Sequence, residues 1–144
     1  MIRIENINSF LVCMWLLLCS WQDIKNKKIN VILIGMGFLV LLISTLILGN
    51  LTIWNRLAGL TLGIILLSLN PITKGQIGIG DGIIVCITGL CLGFPQNAIL
   101  LAYALFGSAM FSIVLLVIRR VNRKRTIPFV PFLLIGYLGV LMLE

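Results

Sequence analysis

Six long apolar runs follow one another along the chain and leave little room for anything else. They are Ile4–Trp21, Val31–Leu48, Thr52–Leu69, Ile77–Phe94, Ala98–Ile118 and Ile127–Leu143. About 20 apolar residues are what a helix needs to cross the hydrocarbon of a bilayer. A chain of 144 residues that is 60% hydrophobic and only 10% charged, with a mean hydropathy of +1.19, cannot hide so much apolar surface in a water-soluble core. The runs therefore predict an all-α polytopic membrane protein, a bundle of six transmembrane helices, with residues 1–144 forming one integral-membrane domain. The first run is the weakest, since its clearly apolar part begins at Phe10. A cleaved signal peptide is the competing reading there. Arg3 is balanced by Glu5, and Trp21, Gln22 and Asp23 stand where small residues would be expected, which favours a retained helix.

The connections are short. Gly49–Leu51 and Pro95–Asn97 are read as turns, making hairpins of helices two and three and of helices four and five. Basic residues then set the orientation. Lys25, Lys27 and Lys28 follow helix one, Lys74 follows helix three, and Arg119, Arg120, Arg123, Lys124 and Arg125 follow helix five. The opposite side offers Arg3 and Arg56. All three basic loops fall on one face, which is expected to be cytoplasmic, with both termini outside. The net charge of +7 is thus a topology signal. A nucleic-acid partner would also want basic residues, but no aromatic interleaving accompanies them, and none is expected.

Cys13, Cys19, Cys86 and Cys91 all fall inside apolar runs and are read as small packing residues. They form no CxxC pair. With no histidine in the chain, neither a metal site nor a cofactor is expected.

The acidic residues carry the functional signal. There are four. Glu5 and Glu144 lie near the chain ends and can stay in water. Asp23 lies just past helix one and Asp81 in the first turns of helix four, so the topology puts both at the same depth on the cytoplasmic face. An aspartate deep in a membrane helix costs about 2.5–3.5 kcal/mol, less near the interface, and usually faces protein or a water-filled cavity. A structural reading exists for each: a helix cap for Asp81, a solvated charge beside the lysines for Asp23. As a pair they offer more. Two facing carboxylates share a proton, so one can deprotonate water while the other polarises a carbonyl and protonates the leaving nitrogen. That is peptide hydrolysis by an aspartic dyad. No histidine is present for a serine or cysteine triad, and no phosphate-binding loop is present.

Glycines surround Asp81. Gly78, Gly80 and Gly82 can keep the backbone open where an extended substrate approaches, or simply let helices pack closely. Gly59-x-x-x-Gly63 and Gly89-x-x-x-Gly93 fit the packing role.

At these residues the chain resembles the type IV prepilin peptidases, a family of GxGD aspartic proteases. Gly78-Ile79-Gly80-Asp81 matches the GxGD signature. Asp23-Ile24-Lys25-Asn26-Lys27-Lys28-Ile29 is similar to the other aspartate motif, and Ile127–Leu133, "IPFVPFL", to the segment that opens the last helix. The resemblance implies that Asp23 and Asp81 are the catalytic pair. It also implies a bacterial plasma-membrane enzyme whose site faces the cytoplasm. The partner would be a prepilin or pseudopilin, cut between a short polar leader and a hydrophobic helix. Two positions depart from the family pattern. Asn30-Val31 stands where Pro-Asn is usual, and Ile83 where a lysine follows the GxGD aspartate. The CxxC-bearing cytoplasmic insertion of larger members is not in this sequence. The chain looks like the minimal core form found with tight-adherence pili.

Two rival functions remain at this level. A small ion-coupled transporter would use an intramembrane aspartate for its cation and would show polar residues converging on it. A catalytically inactive partner of pilus assembly would tolerate the departures just named.

Overall fold

A computed structural model describes residues 4–26, 29–48, 51–73, 78–118 and 127–143. They form six α-helices: α1 (Ile4–Asn26), α2 (Val31–Leu48), α3 (Ile53–Ile72), α4 (Ile79–Leu92), α5 (Phe94–Val117) and α6 (Val130–Leu143). No strand occurs among the described residues. Three stretches are long and apolar enough to cross a membrane: Ile7–Asn26, Ile53–Ile72 and Phe94–Val117. The remaining helices are apolar but shorter.

The helix ends differ from the hydropathy reading for local reasons. α1 continues past Trp21, so Asp23 lies within it rather than beyond it. Gln22, Ile24 and Lys25 all tolerate helix, Lys25 suits the negative end of its dipole, and the Gln22 side chain receives the Asn30 N–H at 2.9 Å. Asn30 in turn caps α2, its Oδ1 accepting from the Ile32 N–H at 3.2 Å. The turn expected at Pro95–Asn97 falls instead on Gly93, whose φ of 80° is the left-handed conformation glycine accepts freely. Pro95 then sits in the first turn of α5, where its missing N–H costs nothing. α6 starts at Val130, three residues into the run read as helix six.

Lipid supplies no hydrophobic drive between helices, so close fit has to hold them. α3 and α4 cross at Gly59 and Gly89, where a Cβ on either would run into the other's backbone. Gly63 lies against Cys86 and Gly82 against Leu67. Both Gly59-x-x-x-Gly63 and Gly89 serve packing as expected, while Gly93 serves the turn. On the other side, Trp15 of α1 covers Gly37 of α2 and donates Nε1–H to the Leu33 carbonyl at 3.3 Å. α6 packs between α1 and α5, burying Val130, Leu133, Tyr137 and Val140. Cys19 and Cys91 are buried in the same apolar core.

Asn97 of α5 is fully buried and ties three helices together. Its Nδ2 donates to Gly59 O at 3.1 Å and Val85 O at 3.2 Å, and its Oδ1 accepts from the Thr88 hydroxyl at 2.9 Å. Arg56 fastens α2 to α3, donating to Thr45 O at 2.6 Å and Leu51 O at 3.4 Å. Of the basic loop residues, Lys27, Lys28, Lys74, Arg119, Arg120, Arg123, Lys124 and Arg125 lie outside the described residues, as do Arg3 and Glu144.

Candidate active site

Asp23 occupies the last turn of α1 and is only 7% exposed. A carboxylate so enclosed needs donors. They come from α6: the Val130 N–H reaches Asp23 Oδ2 at 3.2 Å, and the Phe129 N–H bonds the same carboxylate. The sequence explains why these two amides are available. Phe129 O accepts from Phe132 N at 3.0 Å and Leu133 N at 3.2 Å, so the helix begins around this residue. Pro128 and Pro131 on either side have no N–H to give. What the start of α6 offers is therefore the pair from Phe129 and Val130.

Asp81 is the third residue of α4 and half-buried. The helix is capped by Gly78, not by Asp81: the Asp81 and Gly82 amides bond Gly78 O at 3.1 and 3.3 Å. The Asp81 carboxylate reaches back to the Gly78 N–H, one half of a capping box. Gly78 has φ −65° and ψ 133°, which any residue can adopt. Space is what requires glycine here, because a Cβ would stand 2.8 Å from Asp81 Oδ2.

The two motifs meet. A Cβ on Gly80 would lie 3.3 Å from Ile29 Cδ1, so Ile29, six residues after Asp23, lies directly over Gly80. The two carboxyl groups lie within electrostatic reach of each other. The two helices that follow Gly78 differ in length. α4 has 14 residues, about 21 Å, and α5 has 24, about 36 Å. They share the Gly93 turn and pack together, so the Asp81 end of α4 stops on the order of 15 Å short of the end of α5.

The structure thus brings together Asp23, Asp81, Gly78 and Gly80. Gly82 lies against Leu67 of α3. The donors to Asp23 escaped residue-by-residue reading, since a backbone amide has no letter in the sequence. The only trace is the spacing of Pro128 and Pro131. Among the described residues no three His, Cys, Asp or Glu side chains gather to hold a metal ion.

No curated protein and no solved structure matches the chain. A family model described as the type IV leader peptidase family matches residues 10–118. The matched region includes both aspartates, the Gly78–Gly82 segment and most of the chain, and it stops before α6. On that match, the chain belongs to the type IV leader peptidase family.

Proposed function

We propose that this protein is an aspartic endopeptidase that removes the leader of a prepilin or pseudopilin at the cytoplasmic face of the bacterial plasma membrane. Family membership supports leader-peptidase activity in general. The observation that carries the specific reading is that the two internal aspartates, from separate helices of the matched region, come within electrostatic reach where Ile29 crosses Gly80.

The mechanism follows from one proton shared by two carboxyls. The ionised carboxylate takes a proton from water as the oxygen adds to the scissile carbonyl carbon. The protonated carboxyl gives its proton to the carbonyl oxygen, producing a gem-diol. Transfer of a proton to the amide nitrogen then lets the C–N bond break, and the pair returns to its starting state. Gly78 and Gly80 keep the backbone low beside Asp81, where an extended substrate has to lie. Gly82 contributes by seating α4 on α3.

In this reading all six helices span the bilayer, both termini lie outside, and residues 1–144 act as one membrane domain. A recess at the short end of α4 would admit water and the polar leader, while lipid surrounds the rest. Exposed Trp21 near one end of α1 and exposed Trp54 at the start of α3 suit the two interfaces. A transporter would need polar side chains leading to the aspartates. The hydroxyls of Ser44, Thr61, Thr88, Ser108 and Ser112 instead bond carbonyls of their own helices, and Ser44 and Thr88 also bond asparagines away from the dyad.

Co-expression with candidate prepilins, scoring leader removal per inserted molecule, tests the assignment. Asp23→Asn and Asp81→Asn are each expected to abolish cleavage without loss of insertion. The double variant should be no worse, because groups acting as a unit are not additive. Full activity in either single variant refutes the dyad.

A further inference from the structure

Asp23 and Asp81 are not equivalent in their surroundings. Asp23 accepts two N–H groups from another element, at the start of a 14-residue helix whose dipole turns its positive end toward the carboxylate. Among the described residues, Asp81 accepts one N–H, from the cap of its own helix. Burial opposes charge on either residue, and their mutual repulsion opposes charge on both. A single negative charge shared between them goes where more donors are fixed in place.

We propose that the backbone amides of Phe129 and Val130 are positioning groups for Asp23, fixing its carboxylate as the charged member that deprotonates water and leaving Asp81 as the proton donor. This rests on the peptidase reading above. It gives the "IPFVPFL" segment a physical task, although that segment lies beyond the matched part of the chain. Pro128 and Pro131 remove competing N–H groups, and Val130, fully buried, anchors the turn. Among the described residues, the titratable groups that feel the charge of Asp23 are Asp81 of α4 and Cys19, one turn away on α1. α2 carries none. The one on α6, Tyr137, donates its hydroxyl to the Ser9 carbonyl near the other end of α1.

Val130→Pro tests this, since proline is well tolerated at the first position of a helix yet has no N–H. Its expected effect is a fall in kcat of roughly 10- to 100-fold, the worth of one charge-assisted hydrogen bond. KM should stay near wild type. The acid limb of the pH–rate profile should move to higher pH, because a carboxylate that loses a donor holds its proton more readily. Val130→Ala keeps the N–H and trims the side chain. It is expected to lower the yield of inserted protein while leaving the acid limb at its wild-type position. Should Val130→Pro not insert, the α-hydroxy acid analogue of valine at position 130 exchanges only the N–H for an ester oxygen, and the same shift is expected. An acid limb and kcat in the proline or ester variant equal to those of Val130→Ala overturn the proposal. Activity in Asp23→Asn overturns the peptidase reading instead, so the two failures are distinguishable.

Discussion

Replacing Gly78 by alanine separates a site effect from a folding effect. The added Cβ would have one set of neighbours, the Asp81 carboxyl: Oδ2 at 2.8 Å, Cγ at 3.3 Å and Oδ1 at 3.8 Å. Ordinary contact begins near 3.5 Å, so the carboxylate has to move by about 0.7 Å or rotate away from the Gly78 N–H it now accepts. Folding should hardly register this. The backbone at Gly78 already has angles suited to alanine, and the loss of a flexible glycine in the unfolded chain contributes about 0.4–1 kcal/mol. Alanine is a poorer cap than glycine by a similar amount, so stability should stay within about 1 kcal/mol of wild type. Chemistry is less forgiving, since displacement of a reacting group by about 1 Å can cost 100-fold. The expected result is a 10- to 100-fold loss of turnover. Detergent-solubilised enzyme cutting a prepilin peptide, normalised to folded protein and paired with a thermal melt, measures both quantities. Wild-type turnover would show that the carboxylate has room the structure does not give it. A loss of turnover matched by an equal loss of folded protein would show that Gly78 is a folding residue.

Gly59→Ala should show the opposite signature. Its Cβ meets backbone, the Gly89 carbonyl oxygen nearest and the carbonyl carbons of Gly89 and Gly93 at 2.9 Å, so α3 and α4 must part by on the order of 1 Å. Overpacking and a weakened Asn97–Gly59 bond together cost about 2–4 kcal/mol in reversible unfolding, with turnover per folded molecule largely kept; an unchanged melt refutes the close crossing. A tag at Glu144 should be labelled in intact cells, and labelling only after permeabilisation would reverse the orientation and move the dyad to the other face.

Helix number was legible in the sequence because lipid leaves hydropathy almost unopposed. The ends were less so. α1 outruns its apolar stretch because Gln22 and Lys25 are adequate helix residues and Gln22 finds a tertiary partner in the Asn30 amide. The α4–α5 turn was assigned to proline although the residue that can take a positive φ is Gly93. The convergence of Asp23 and Asp81 on one face could be read from topology alone. Their mutual proximity could not, since it depends on Ile29 crossing Gly80. Backbone freedom, the sequence-level reason for glycine at position 78, is not used there, since its angles suit any residue; a Cβ would instead press on the Asp81 carboxyl.

The bundle separates what holds it together from what reacts. The end away from the dyad is tied by Asn97, Thr88 and Gly59, by Arg56 and the Thr45 carbonyl, by Ser44 donating to Asn8, and by Tyr137 donating to the Ser9 carbonyl. These bonds join all six helices. Interhelical bonds of this kind contribute only about 0.6 kcal/mol each in a membrane, so they matter through number and through fixing register. At the dyad end the helices α4 and α6 both begin, and among the described residues the donors to the two carboxyl groups are backbone amides: Phe129 and Val130 for one, Gly78 for the other. Amides at helix starts are rigid and cannot be titrated. In the peptidase reading, a proton passes between the carboxyls and water without these amides changing state. Side-chain donors such as lysine or serine would titrate or rotate during the reaction. The position two residues after Asp81 fits this picture, since Ile83 brings no charge to the pair and leaves the amides as its fixed donors.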